Sequence, residues 1–124
     1  MKQYEIWVAE LPSLPESHIQ RGRRPVIIVS NGHANAHSPV VTVVPLTSRP
    51  KKSIIPTHVA IRNWSLDKTS LALCEQVMPL DKHRLLRRVG YLHGWFEQMA
   101  IQHALSIQLG LAALEEEDIV WVPL

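Results

Sequence analysis

The sequence has one cysteine among its 124 residues, so no disulfide can form within the chain. This excludes the small secreted domains that depend on disulfides for stability. No apolar run approaches the roughly 20 residues of a membrane-spanning helix, and the first residues lack the apolar segment of a signal peptide. Because 46% of the side chains are hydrophobic, we expect one hydrophobic core. We also expect a cytoplasmic protein without a membrane segment.

Common catalytic signatures are also missing. The sequence has no glycine-rich phosphate loop, no nucleophile elbow and no His-Glu-x-x-His motif. His33 and His37 have a spacing that suits a metal on a helix, but Gly32 and two asparagines predict a loop there. We therefore predict no metal site and no cofactor, and we interpret Cys74 and His103 as core residues.

Positive charge is concentrated in the first nine-tenths of the chain. All 13 Lys and Arg residues lie within residues 1–112, together with 7 of the 11 acidic residues. They form three clusters, around Arg21–Arg24, Arg49–Lys52 and Lys82–Arg88. Brought together by the fold, these clusters would attract a polyanion such as nucleic acid, whereas apart they would be three solvated loops. Charge counting alone does not separate the two.

Short β-branched runs bounded by proline, glycine and asparagine predict a mainly β fold. The predicted strands are residues 4–9, 25–29, 40–46, 57–61, 70–78 and 86–92. The run 25–29 is apolar throughout, which is typical of a strand buried on both faces. Glu75 lies on the apolar side of strand 70–78, so we expect it at a sheet edge or paired. Five or six strands and one helix suggest a small barrel or half-barrel.

The helix is predicted over residues 94–111. Its apolar positions at helical spacing indicate one broad face toward the sheet, and a second, narrower line that a lone surface helix would not need. The first face comprises Phe96, Met99, Ala100, His103, Ala104, Ile107 and Leu111, and the second Ile101, Leu105 and Leu109. We expect the second line to meet another chain.

The most informative segment is the basic loop that runs directly into the apolar strand at Pro25. A proline restricts the residue before it to extended geometry, so Arg24 carries a guanidinium on a fixed backbone. Thr47, which carries a hydroxyl, directly follows the predicted strand 40–46. We expect this strand to pair with strand 25–29.

Several motifs, in one order from about residue 4 to about residue 111, resemble the MazF/PemK family of toxin–antitoxin ribonucleases. The matching segments are Gly22-Arg23-Arg24-Pro25-Val26, Ser30-Asn31, Ser38-Pro39, Val44-Pro45-Leu46-Thr47, Pro56-Thr57-His58-Val59, residues 66–77 and residues 80–85. Each piece alone is weak, but their combination and order are specific.

The resemblance implies a small SH3-like barrel with a C-terminal helix, usually a homodimer, that cuts single-stranded RNA without a metal and is neutralised by a small antitoxin. It identifies Arg24 and Thr47 as the catalytic pair. Cleavage by the substrate's own 2′-hydroxyl builds negative charge on the phosphate, which a fixed guanidinium can stabilise. Products with a 2′,3′-cyclic phosphate and a 5′-hydroxyl are expected.

The same resemblance places six further residues in RNA-contacting regions. They are Gln20, Arg23, Lys52, Thr57, Glu75 and Gln76. Amide and carboxylate side chains can read the base edges of single-stranded RNA. The alternative for Glu75 and Gln76 is that they merely connect strand to loop.

The sequence departs from the family pattern at three places. Tyr4-Glu5 replaces the common Gly-Asp before the first strand, which we expect to affect the loop and not the fold. Ile19 replaces an acidic residue of the loop, so we expect catalysis either to proceed without it or to use His18, since histidine transfers protons near neutral pH. Residues 113–124 form an acidic tail beyond a domain of residues 1–112 and are either solvated or folded over the basic cleft. A toxin-like barrel that binds protein or RNA without cleavage remains the alternative function.

Overall fold

The computed structural model describes residues 1–49 and 55–112 and consists of an antiparallel β sheet with two helices. The strands are β1 (Glu5–Leu11), β2 (Gly22–Ile28), β3 (Val40–Thr47), β4 (His58–Ile61), β5 (Ser70–Leu73), β6 (Met78–Asp81) and β7 (Leu85–Tyr91). The helices are α1 (Gly32–His37) and α2 (Trp95–Gln108), and 3-10 turns span Cys74–Gln76 and Lys82–Arg84. The predicted class, mainly β with a C-terminal helix, is confirmed.

Strand β3 organises the sheet. Along one edge it pairs with β2, with Val26 opposite Pro45. Along the other edge it pairs first with β6, through Val40–Val43, and then with β5, at Leu46 and Thr47. The strand order is β4-β5-β3-β2-β1-β7, with β6 also on β3. In the described part of the chain, the ladder ends at β4 and β7, so the predicted barrel is an open, curled sheet.

Both faces of the central strands are buried. Ile27 and Val44 lie in one core cluster with Ile101 of α2, whereas Val26 and Val43 lie in a second cluster with Leu80 and Leu85. The run within β2 therefore packs on both sides, as predicted. Full burial of one such aliphatic side chain contributes about 1.5–3 kcal/mol, so β2 and β3 form a rigid base for the residues at their ends.

The single strand predicted for residues 70–78 is wrong. The chain leaves β5 at Leu73, makes the 3-10 turn Cys74–Gln76 and resumes as β6. The N–H of Cys74 donates to the carbonyl of Thr57 at 3.0 Å, and the N–H of Val77 donates to the carbonyl of Cys74 at 3.3 Å. These bonds replace the ladder bonds that a continuous strand would make, because β3 changes its pairing partner at this point.

The loop predicted around His33 is also wrong. Residues 32–37 form helix α1, capped by the Asn31 side chain, which accepts from the N–H of Ala34 at 2.8 Å. The buried Asn35 side chain donates to the carbonyl of Ser30 at 2.9 Å and thereby ties the helix to the end of β2. Capping and this tertiary anchor outweigh the weak helix propensity of glycine and asparagine.

Helix α2 exists as predicted, but its packing face differs. Ile101, expected to point toward another chain, is fully buried, while Phe96, expected in the core, is 81% exposed. Met99, His103 and Leu111 are exposed too, so His103 is not a core histidine. Because the helix has two apolar lines, the sequence alone does not determine which of them faces the sheet. No helix in residues 1–49 and 55–112 is long and apolar enough to cross a membrane.

Candidate active site

Arg24 is held in place at the start of β2. It pairs with Ala9 of β1, and its Nε donates to the carbonyl of Arg21 at 2.9 Å. Gly22, with φ of +77°, supplies the left-handed backbone that turns the loop into the strand. Burial, and then the nearby charge of Arg49, lower the pKa of Arg24 from its ordinary value. An arginine remains protonated at neutral pH despite such a shift.

Thr47 ends β3 on the strand next to Arg24. The ladder between β2 and β3 ends with Val26 opposite Pro45, so Arg24 and Thr47 each lie two residues beyond its last pair. Thr47 is only 3% exposed, and its Oγ1 accepts from the N–H of Arg49 at 3.2 Å. The two residues assigned as the catalytic pair thus lie on neighbouring strands, Arg24 in the first half of β2 and Thr47 at the end of β3.

Around Arg24 lies a polar cleft of about 320 Å³. It is lined by Ser17, His18, Ile19, Gln20, Arg21, Arg24 and Arg49. Three guanidinium groups at one concave site favour an anion such as a phosphate diester. His18 is exposed within this cleft, so the residue predicted from the loop does lie near Arg24.

Arg21 and Arg49 are cleft residues that the motif comparison did not single out. In the sequence both residues belong to clusters of positive charge, and Arg49 follows Thr47 by two residues. The clusters around Arg21–Arg24 and around Arg49 therefore meet in the fold, and for these residues the solvated-loop interpretation is wrong.

Gln76 bonds the cleft loop from across the sequence. Its Oε1 accepts from the N–H of Gln20 at 2.8 Å, and its Nε2 makes a longer contact of 3.5 Å with the carbonyl of His18. The predicted RNA-reading amide is thus engaged with the protein's own backbone. Gln20 itself lines the cleft, and its contact with RNA stays a prediction.

Glu75 and Thr57 belong to a buried polar group with His58. The Nε2 of His58 lies 2.8 Å from Oε2 of Glu75, and Thr57 Oγ1 donates to Oε1 of Glu75 at 3.4 Å. The expectation that Glu75 is paired is confirmed. Thr57 is fully buried, so its hydroxyl is not exposed to a ligand. His58 could not be predicted as the partner of Glu75 from the sequence, because the two residues are 17 apart in the chain.

The remaining predicted RNA contacts lie at the margin. Arg23 is exposed on β2 and pairs with Glu10 on β1, with 3.2 Å between Nε and Oε2. Such an exposed pair contributes little stability and can exchange for a phosphate. Lys52 lies outside the described residues.

A second, more apolar pocket of about 250 Å³ is lined by chain neighbours of both Arg24 and Thr47. Pro25 follows Arg24, while Leu46 and Ser48 enclose Thr47 in the chain. The lining consists of Pro25, Leu46, Ser48, Leu66, Asp67, Lys68 and Ser70. Its volume exceeds that of one small planar ring system, and its polar groups stand at a largely apolar wall.

In residues 1–49 and 55–112, no three His, Cys, Asp or Glu side chains cluster as metal ligands. His33 and His37 do lie on a helix, with ring centroids 4.9 Å apart, but no carboxylate or third histidine joins them there. Catalysis without a metal stays a prediction.

Comparisons with known proteins give the same family that the sequence motifs resemble. The family model of the PemK-like, MazF-like toxins of type II toxin–antitoxin systems matches residues 2–107. The chain is 39% identical over 113 residues to an endoribonuclease MazF of Staphylococcus saprophyticus, covering 90% of this chain and 92% of that relative.

Solved structures show the same architecture. An endoribonuclease from a mycobacterial species, solved in complex with its cognate antitoxin, has a TM-score of 0.73 at 26% identity, over 92% of this chain and 99% of that one. MazF of Deinococcus radiodurans has a TM-score of 0.72 at 23% identity, over 88% and 94% of the two chains, and supports the fold. The chain belongs to the family of PemK-like, MazF-like toxins of type II toxin–antitoxin systems.

Proposed function

We propose that this chain is the toxin of a type II toxin–antitoxin pair and acts as an endoribonuclease on single-stranded RNA, without a metal or cofactor. The observation that carries the proposal is the cleft that brings together the guanidinium groups of Arg21, Arg24 and Arg49. Thr47 ends β3, which pairs with the strand that contains Arg24. The relative from Staphylococcus saprophyticus, itself named an endoribonuclease, supports the activity.

In the proposed reaction the 2′-oxygen attacks the adjacent phosphorus and the bond to the 5′-oxygen breaks. The 2′-hydroxyl loses its proton and the departing 5′-oxygen gains one, which leaves a 2′,3′-cyclic phosphate and a 5′-hydroxyl. Arg24 donates hydrogen bonds to the phosphate oxygens as their charge increases, and Thr47 orients the same phosphate. His18, exposed in the cleft, is the proposed proton carrier in place of the acidic residue replaced by Ile19.

RNA binding extends outward from this centre. Gln20 and Arg23 are proposed to contact the RNA chain on one side of the catalytic centre. Lys52 is assigned to the same role by resemblance. The more apolar pocket beside Pro25 is large enough for a base, and its apolar wall and polar groups suit one. Residues 1–112 form the catalytic domain in this proposal, and the tail 113–124 lies beyond the family match.

The proposed partners follow from the relatives. A mycobacterial endoribonuclease was solved with its cognate antitoxin, and we propose a small antitoxin for this chain as well. A homodimer is proposed, with the exposed Trp95, Phe96 and Met99 of α2 as apolar surface that a second copy can cover. Cytoplasmic action is proposed because the substrate is found there.

The test is cleavage of a long single-stranded RNA, with and without EDTA, by the wild type, Arg24→Ala and Arg87→Ala. Arg87 is exposed on β7 and lines neither pocket, so its variant removes the same charge away from the site. We expect discrete fragments from the wild type and Arg87→Ala, and none from Arg24→Ala.

Fragment ends carrying a cyclic phosphate and a 5′-hydroxyl would identify the 2′-hydroxyl as nucleophile. RNA left intact by folded wild-type protein would favour the non-catalytic alternative, for which Ile19 in place of an acidic residue is the relevant observation. Cleavage that EDTA abolishes would overturn the metal-free mechanism.

A further inference from the structure

We infer that Gln76 is a positioning residue of the active site, which acts by fixing the loop that lines the Arg24 cleft. The inference deepens the proposed function and rests on it, because it assigns a task in the same cleft. It differs from the RNA-reading role that the family resemblance suggests for this side chain.

The amide of Gln76 meets the loop at two backbone atoms. The N–H of Gln20 donates to Oε1 at 2.8 Å, and the carbonyl of His18 receives the longer 3.5 Å contact from Nε2. Other bonds to backbone atoms of this loop are local. The N–H of Ser17 donates to the carbonyl of Leu14, the N–H of Ile19 donates to the hydroxyl of Ser17, and the carbonyl of Arg21 accepts from Nε of Arg24. Gln76 thus ties both ends of the segment 18–20 to a distant part of the fold.

The turn that carries Gln76 is itself anchored in the core. Cys74 is fully buried, and its N–H bonds the carbonyl of Thr57 at 3.0 Å. Glu75, the neighbour of Gln76, is paired at 2.8 Å with the fully buried side chain of His58. Because this turn is anchored, the Gln76 side chain loses little conformational freedom when it bonds the loop. The loop is therefore bound to a rigid support.

The connection continues from the loop to Arg24. Gln20 precedes Arg21, whose carbonyl accepts from Nε of Arg24 at 2.9 Å. His18 and Arg21 line the cleft together with Arg24. Release of the loop would therefore disturb both the proton carrier and the orientation of the guanidinium. Small displacements of catalytic groups have large effects on rate, since the reacting geometry must be met closely.

The first measurement is amide hydrogen exchange at Gln20 in the full-length protein without RNA. Gln76→Ala removes the acceptor of this N–H, and we expect its exchange to accelerate by a factor of about 5 to 30. Gln3→Ala is the matched control, because Gln3 likewise bonds a backbone atom, the carbonyl of Val29 at 2.8 Å, at the other end of β2. That variant should leave exchange at Gln20 unchanged.

The second measurement separates kcat from RNA affinity. For Gln76→Ala we expect kcat to fall by about 10- to 100-fold, while affinity for an RNA with a 2′-deoxy residue at the cut site changes less than about threefold, within one hydrogen bond's net contribution. Gln76→Glu retains an acceptor for the Gln20 N–H and should restore slow exchange and part of kcat.

The outcomes are distinct. Faster exchange with unchanged kcat would overturn the inference, because the loop anchor would be irrelevant to catalysis. Unchanged exchange with weakened RNA binding would overturn it in favour of direct RNA contact. Wild-type protein that cleaves no RNA would refute the proposed function instead, and exchange at Gln20 would still report separately whether Gln76 holds the loop.

Discussion

His58 and Glu75 form a carboxylate–imidazole pair, with 2.8 Å between Nε2 and Oε2. The imidazole is fully buried, and its Nδ1 has no hydrogen-bond partner among the described residues. An ionised carboxylate only accepts, so with Glu75 ionised this bond requires the hydrogen on Nε2. The pair joins the start of β4 to the 3-10 turn Cys74–Gln76, and so connects the end of the sheet to the residue that contacts the cleft loop.

Loss of the Glu75 carboxylate is expected to destabilise the fold. Glu75→Ala leaves a second nitrogen of His58 buried without a partner, and we expect the free energy of unfolding to fall by about 1–3 kcal/mol. Glu75→Gln retains an oxygen acceptor and should lose less. Urea unfolding of the three proteins checks the order, and equal stability of Glu75→Ala and the wild type would contradict it.

The sequence predicts well where chemistry depends on neighbouring residues. Pro25 constrains Arg24 to extended geometry and Thr47 ends an apolar run, so both features could be predicted without the structure. The predicted start of the strand at Pro25 is wrong, since β2 begins at Gly22. The bond from Gln20 to Gln76 joins residues 56 apart, and nothing local indicates it. The turn at Cys74 could not be predicted for a similar reason. The hydrophobic pattern of residues 70–78 suits a continuous strand, whereas β3 changes its pairing partner at this turn.

Arg49 is expected to contribute to RNA binding through charge. Arg49→Gln should weaken binding of single-stranded RNA and reduce the slope of log affinity against log salt concentration by about 0.7, the value for one phosphate contact on a single strand. The same substitution removes a cause of the lowered pKa of Arg24. Binding titrations at several salt concentrations test this, and an unchanged slope would remove Arg49 from the RNA surface.

The hydroxyl of Thr47 is expected to matter more for cleavage than for folding. Thr47→Val preserves shape in a site that is 3% exposed and costs about 1 kcal/mol through the lost bond from the N–H of Arg49. Cleavage should fall by about 100-fold, as for loss of one donor to a charged phosphate. Thr47→Ser should retain most activity, and equal rates for the two variants would exclude a role for the hydroxyl.

His18 is tested against a histidine outside the cleft. His18→Ala should lower the cleavage rate by about 100-fold, the usual contribution of a general acid or base, with unchanged unfolding, since the side chain is exposed. His83→Ala, exposed in the turn Lys82–Arg84, serves as the control. A His18→Ala protein as active as the His83→Ala protein would show that catalysis proceeds without this imidazole.

Cys74 is expected to be inert in the folded protein. Burial, and then the charge of Glu75, raise the pKa of its thiol to about 12, so the reactive thiolate is scarce at pH 8. A disulfide reagent should label the denatured chain quickly and the native chain slowly. Rapid labelling of native protein would show that the turn under Gln76 opens easily, in conflict with a rigid support for the cleft loop.

The same thiol makes stability depend on alkaline pH. Its folded pKa of about 12 lies above the ordinary value of 9.0, so the folded state binds the proton more tightly than the unfolded state does. The stabilising contribution is complete below about pH 9 and is lost as pH rises toward 12. Cys74→Ala removes this dependence but leaves a small cavity, so it should be less stable than the wild type at pH 8, with the difference shrinking at pH 10 to 11. A constant difference across this range, measured by urea unfolding, would show that the thiol does not titrate differently in the two states.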